Sequence, residues 1–420
     1  MTQLRIKNFG PLRDGLTDNG GWIEFKKVTV FIGNQGSGKS CIAKIFSTFS
    51  WIEKALTRGD YDKKWFERKN RLRNQFLSYH RLENYLELDG SDIAEIEYIG
   101  ASYAIRYASG QLSISEVAGD HGYHLPQVMY VPAERNFIAY VRNPKELKLA
   151  SESLKEFLTE FDQAKLSLKG PLTLPINRAE LEYDKLNDLL SIKEAHYKLR
   201  LTDASSGFQS FVPLYLVTHY LANLIQAQSD EQGEGNKPPM SADEVARFKS
   251  GVVSIFANDS LTEEQKRAAL SALSAKFNKT AFINIVEEPE QNLFPASQWQ
   301  VLQSLLAFNN QTQNNKLVMT THSPYIVNFI SIVVQAQQLL QKIKNSPDYE
   351  NLRAQLQAIV HLDALVAGDD LAVYQLDETT GSIQKLSTFD GIPTDHNYLN
   401  EQLRLGNDLF DRLLEIEEAI

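Results

Sequence analysis

VTVFIGNQGSGKS, residues 28–40, is the stretch whose reading decides the fold of this chain. VTVFI is β-branched and aromatic and reads as a buried strand, while CIAKIFSTFSWIEKAL directly after it reads as an apolar-faced helix. Between them Gly33, Gly38, Lys39 and Ser40 fit the spacing G-x-x-x-x-G-K-[ST]. Glycines let such a loop wrap phosphate oxygens with its N–H groups, the lysine reaches terminal phosphates, the hydroxyl binds Mg²⁺, and the helix N-terminus favours the anion. The expected phosphate-binding set is Gly33, Asn34, Gln35, Gly36, Ser37, Gly38, Lys39, Ser40 and Cys41.

INIVEEPEQNLFP, residues 283–295, poses a separate question, because an apolar strand here ends in Glu287, Glu288 and Glu290. Crowded carboxylates repel and are costly to desolvate, so the cluster asks for a cation. With Ser40 as the other ligand, Glu287 becomes the expected second Mg²⁺ ligand, and Glu288 is placed to orient or deprotonate an attacking water. His322 follows the next buried strand, KLVMTT, and should reach the same sheet edge, where a histidine can donate to a γ-phosphate. Lys39, Glu288 and His322 are thus the expected catalytic residues. Asp203–Gln209, DASSGFQ, opens a helix with small polar residues, so Ser205, Ser206 and Gly207 offer a further set of N–H groups to an anion.

Strands LRIKNF and WIEFKKVTVFI open the chain, and IAEIEYIG, ASYAIRYA and QLSISEV read as an antiparallel set followed by the strand QVMYVPA. Residues 135–200 read as helical and charged. The polar stretch 229–244 reads as a loop, AFINIVEE and KLVMTTH as buried strands alternating with helices, and DLAVYQLDETTGSIQKL as a hairpin before an acidic amphipathic helix. Strands alternating with helices imply a parallel sheet with ligands at strand C-termini.

Composition narrows the class. The chain has 420 residues, 43% of them hydrophobic, which can fill a sizeable core. A net charge of −10 argues against nonspecific coating of nucleic acid, leaving DNA binding an open question, although KKWFERKNRLR, residues 63–73, is a local basic run. The opening MTQLRIKNFG has no apolar leader and no run of eighteen apolar residues occurs, so a cytoplasmic protein with no membrane partner is expected. One cysteine, Cys41, excludes an intrachain disulfide.

The four elements, in this order, resemble the ATP-binding-cassette class of ATPases, in its RecF/SMC/OLD-like branch. That resemblance implies an α/β fold of the P-loop kind, with a mixed parallel sheet, an antiparallel β flank and a helical lobe insertion. It divides the chain into a first ATPase lobe (1–134), a helical lobe with the signature loop (135–280), a core return with the second acidic strand and the switch histidine (281–345), and a C-terminal region (346–420). Ser205 and Gly207 match the family's signature loop, which reaches across a dimer to the γ-phosphate on the partner's P-loop, so the resemblance implies ATP sandwiched between two subunits with Mg²⁺. The match departs from the family at ASSGFQ in place of LSGGQ, at Glu287 where many members have Asp, and at YVPAERN, residues 130–136, where transporters place a glutamine loop; no role follows for Glu134 or Arg135.

YVPAERN, SSGFQS, EEPEQNLFP and TTHSPYIVN together are similar to the compact ATPases of bacterial anti-phage systems. That similarity implies a sensor and scaffold that assembles from ATP-sandwich dimers into a homo-oligomer, up to a hexamer. It also implies a separate Toprim-type nuclease effector, held until a phage-encoded trigger is sensed. Asp369 and Asp370 are adjacent and not spaced D-x-D, so the nuclease is expected on another chain. The alternative is a RecF/SMC-like DNA-repair ATPase, against which stand the acidic balance and the lack of heptad arms.

Overall fold

In the computed structural model the described residues are 2–86, 94–118, 123–141, 149, 151–229, 242–258, 261–262, 265–266, 269–270, 273 and 277–418. Strands β1 (Thr2–Lys7), β2 (Gly15–Leu16), β3 (Ile23–Phe25) and β4 (Val28–Gly33) precede helices α1 (Lys39–Arg58) and α2 (Lys63–Phe66). Then come β5 (Glu95–Ile99), β6 (Tyr103–Ala108), β7 (Gln111–Glu116), β8 (Pro126–Val131), α3 (Asn136–Tyr140) and α4 (Glu152–Ser167). A short-stranded segment, β9 (Leu172–Thr173), β10 (Glu180–Asp184), β11 (Leu189–Lys193) and β12 (Lys198–Arg200), leads to α5 (Ser206–Ser229) and α6 (Ala242–Phe256). The rest is β13 (Ala281–Glu287), α7 (Pro295–Asn310), β14 (Lys316–Thr321), α8 (Pro324–Ile343), α9 (Tyr349–Ile359), β15 (Leu371–Leu376), β16 (Ser382–Lys385), the hairpin β17 (Thr388–Phe389) and β18 (Ile392–Pro393), and α10 (Tyr398–Glu418).

The chain folds as a mixed α/β protein around a seven-stranded sheet of order β2-β16-β15-β4-β14-β13-β8. Five neighbours, β15, β4, β14, β13 and β8, run parallel. Nearly every residue of these strands is buried, as expected of strands covered on both faces. The pleat sends Val28, Val30 and Ile32 to one core with α5, α7 and α8, and Phe31 to the other with α1. A second, antiparallel sheet, β3-β1-β5-β6-β7, shares that second core, so α1 lies between two sheets.

Two readings need correction. WIEFKKVTVFI is two strands, because the chain leaves the antiparallel sheet after Phe25 and enters the parallel one at Val28. Residues 172–200 are not helical: they form a four-stranded antiparallel sheet, β12-β11-β10-β9, in which Leu181 and Ile192 pair across strands and are fully buried. A two-residue period with only Leu181 buried on β10 and Leu190 and Ile192 on β11 was hidden by the surrounding charge. The C-terminal hairpin forms as expected, with β15 and β16 antiparallel, and β15 also joins the central sheet beside β4 in register Val30↔Val373 and Phe31↔Tyr374. The loop expected over 229–244 falls largely outside the described residues. No described helix is long and apolar enough to cross a membrane.

Candidate active site

Parallel strands that start level also end level, and here register brings the chemistry to one edge. Glu287 pairs with Thr320, and Thr320 with Phe31, so β13, β14 and β4 finish in one row. β14 therefore separates the strand carrying Glu287 from the strand feeding the phosphate loop, an order no local pattern gives. The loop leaves β4 through Gly33, at φ 145°, where a Cβ would sit 2.5 Å from the Leu376 carbonyl oxygen of β15. Gly38, at φ 102°, caps α1 without a side chain, and a Cβ there would meet Leu12 at 2.6 Å. The first turn of α1 thus presents bare N–H groups and the positive end of its dipole beside the loop.

Lys39 is buried and folded back over the loop, donating to the carbonyls of Gly33 at 2.8 Å and Asn34 at 2.7 Å. Burial lowers its pKa to about 8, against the pull of Glu288 and Glu290. Its Nζ lies 3.5 Å from His322 Nδ1, and His322 Nε2 lies 3.6 Å from Glu288 Oε1. Lys39, His322 and Glu288 therefore stand in a line across the ends of three strands. Burial, then Lys39, lowers the His322 pKa, which favours a neutral ring. Burial, then Glu287, raises that of Glu288, which suits a carboxylate asked to take a proton.

Glu287 is 4% exposed; its Oε2 accepts the Ala133 N–H at 3.2 Å, and the buried Tyr130 hydroxyl lies against the same carboxyl group, whose Oε1 has no partner in good hydrogen-bond geometry. A buried carboxyl oxygen without a partner in good geometry fits a cation, with Ser40 at the start of α1 as the second protein ligand. Among the described residues no group of three His, Cys, Asp or Glu converges, so phosphate oxygens and water would complete the coordination. Cys41 differs from expectation: its side chain lies in the core with a thiol pushed up to about 12 by burial, so the side chain is not part of the loop's surface. Asn34 is exposed and donates to Glu378 at the β15–β16 turn at 2.8 Å, while Gln35 and Gly36 are exposed and Ser37 is buried with its hydroxyl on the Asn34 carbonyl. Ser205 and Ser206 are exposed at the start of α5, with Gly207 half-buried against the Asn292 carbonyl.

Two residues emerge that sequence reasoning left without a role. Glu290 Oε1 accepts from the Thr321 hydroxyl at 2.8 Å and from the His322 main-chain N–H at 2.7 Å, so the third carboxylate holds the histidine. Arg135 is completely buried and, among the described residues, its guanidinium donates to carbonyls: Ser210 at 3.0 Å, Pro132 at 3.2 Å, Glu287 at 2.6 Å and Glu288 at 2.6 Å. Burial pushes its pKa down to about 10. Its planar fork ties α5, which begins at the SSG loop, to the end of β13. Glu288 sits at φ 43°, a left-handed backbone rare outside glycine, pinned by its N–H on Thr320 and its carbonyl on Arg135. Glu134, by contrast, is exposed.

No family model matches this chain, and no curated protein matches it. Among solved structures it is similar to the ATP-binding cassette MJ0796, both as a dimer in a post-hydrolysis state bound to ADP and Pi and as a dimeric bacterial ABC transporter cassette. Each match has 11% identity, covers 93% of this chain and 100% of the other, and gives a TM-score of 0.24. A likeness that weak leaves the fold to be judged from strand order and register.

Proposed function

We propose that the chain is an ATP-hydrolysing switch of the ATP-binding-cassette class, acting as the sensor and scaffold subunit of an anti-phage complex of the AriA kind. The observation that carries the ATPase reading is the line Lys39–His322–Glu288 beside the buried carboxyl oxygen of Glu287 that has no partner in good geometry. Gly33–Ser40 would cradle the β- and γ-phosphates of ATP, with Lys39 turning from the Gly33 and Asn34 carbonyls to the phosphates. Ser40 and Glu287 would hold Mg²⁺, which when bound neutralises charge on the transferring phosphate. Glu288 takes the proton of the attacking water, and neutral His322 donates to the γ-phosphate and registers its loss.

Ser205 and Ser206 are exposed and Gly207 is half-buried beside them, so the serines can face a second subunit's nucleotide. The site then closes as an ATP sandwich between two copies, with the Arg135 clamp linking each signature helix to its own catalytic glutamate. The sensor assignment, with a separate Toprim-type nuclease effector like AriB and a phage protein as trigger, rests on the sequence resemblance. Purification of the chain with its genomic neighbours in the presence of ATP tests it. A stoichiometric nuclease partner released by a phage protein supports the assignment; recovery with duplex DNA alone moves it to a RecF/SMC-like repair ATPase.

A further inference from the structure

A carboxylate stands at the rim of the phosphate loop with no part in the chemistry. Glu378, on the turn between β15 and β16, accepts from the Asn34 side chain through its Oε1 at 2.8 Å. The carbonyl of Asn34 in turn takes the Lys39 ammonium at 2.7 Å and the Ser37 hydroxyl at 2.8 Å. After Glu288 and Glu290, Glu378 is the next negative charge that favours the protonated form of Lys39.

The turn is anchored on three sides, so this acid is held in place beside the loop. Asp377 Oδ1 accepts the Thr379 N–H at 2.7 Å and the Thr379 hydroxyl at 2.6 Å. Gly381, at φ 68°, packs on the segment after β1: its carbonyl accepts the Arg13 N–H at 3.1 Å, and a Cβ there would lie 2.5 Å from the Pro11 carbonyl oxygen. The root of α10 backs the third side, where Gln375 Oε1 accepts the Tyr398 N–H at 2.8 Å and Asp377 Oδ2 accepts the Tyr398 hydroxyl at 3.1 Å.

Geometry and charge at Glu378 both favour the empty loop. With no nucleotide, Lys39 rests on the Gly33 and Asn34 carbonyls, and Glu378 keeps Asn34 where it can receive the ammonium. A triphosphate has to draw Lys39 off those carbonyls, and it brings negative charge towards a carboxylate. Interactions that are stronger in the empty state than in the occupied one weaken binding by their difference. We propose that Glu378 sets the ATP affinity of the site by latching the empty phosphate loop through Asn34, so that nucleotide binds as the latch releases. The inference rests on the ATPase reading of that loop. Because Tyr398 anchors the same turn, a force that moves α10 acts on the latch, and ATP affinity becomes adjustable from outside the site.

Calorimetric titration of wild type, Glu378→Gln and Glu378→Ala with Mg²⁺ and adenylyl imidodiphosphate, a non-hydrolysable ATP analogue, tests this. Glu378 is exposed, so both variants should fold, which circular dichroism checks. Glutamine keeps an acceptor for Asn34 and removes the charge, whereas alanine removes both. Glu378→Gln should bind the analogue roughly three- to ten-fold more tightly at low salt, and Glu378→Ala at least as tightly as that. The gain in Glu378→Gln should shrink at about 0.5 M salt, where charges are screened. Unchanged or weaker binding in either variant overturns the proposal, and so does a glutamine gain that salt leaves untouched. Those failures leave the ATPase reading standing; a wild type that does not bind the analogue removes both.

Discussion

Glu290 Oε1 accepts the main-chain N–H of His322 at 2.7 Å, and that bond fixes where the histidine ring stands between Lys39 and Glu288. Glu290→Ala should therefore strand the His322 N–H and the Thr321 hydroxyl, each worth about 1–3 kcal/mol when left unsatisfied. ATP affinity should stay within a few-fold while kcat falls roughly ten- to a hundred-fold, because the phosphate loop is untouched. An unchanged kcat would remove Glu290 from the site.

Arg135 makes a second separation possible. Arg135→Met leaves the carbonyls of Glu287, Glu288 and Ser210 without their donor in a buried setting, at a cost of about 1–3 kcal/mol for each stranded group. Thermal unfolding should show a large loss. Arg135→Lys keeps the charge but not the fork, so it should recover part of the stability while turnover stays low, since the left-handed backbone at Glu288 loses its anchor. If the lysine variant hydrolyses ATP normally, the clamp is structural only.

Lys39 sets a pH dependence whose sign follows from its lowered pKa of about 8. In the free protein the ammonium loses its proton as pH rises through about 8, and the triphosphate favours its return. Proton uptake on ATP binding should be small at about pH 7 and approach one proton at about pH 9, with affinity weakening over the same range. Calorimetry in two buffers of different ionisation heat reads the uptake. For stability alone the sign is opposite to that of an ion-paired lysine: the penalty of burying the charge is present below about pH 8 and is relieved as pH rises towards the ordinary lysine pKa.

Much of this site was legible in the sequence, because its parts are local. GNQGSGKS and the EE and TTH strand ends each announce themselves by residue type at a fixed offset from an apolar run. What could not be read is non-local. Nothing in KLVMTT says that β14 lies between β4 and β13, and nothing in LAVYQL says that it pairs with the phosphate-loop strand. Arg135 and Glu290 act through main-chain atoms far along the chain, so their roles appear only once β8, β13, β14 and α5 are assembled. In the basic run 63–73, Lys63 is spent on Glu116, a contact set by where β7 lies, while Arg71 stacks locally on the Trp65 ring.

The central claim is that Lys39 binds phosphate while Glu288 activates water, and one paired measurement separates those roles. Bound ATP per chain and the rate of phosphate release should be measured for wild type, Lys39→Ala and Glu288→Gln with Mg²⁺. Lys39→Ala should bind no ATP at concentrations that saturate the wild type. Glu288→Gln should bind one ATP per chain and release phosphate at least about a hundred-fold more slowly. Normal turnover in Glu288→Gln, or full ATP occupancy in Lys39→Ala, would contradict the account.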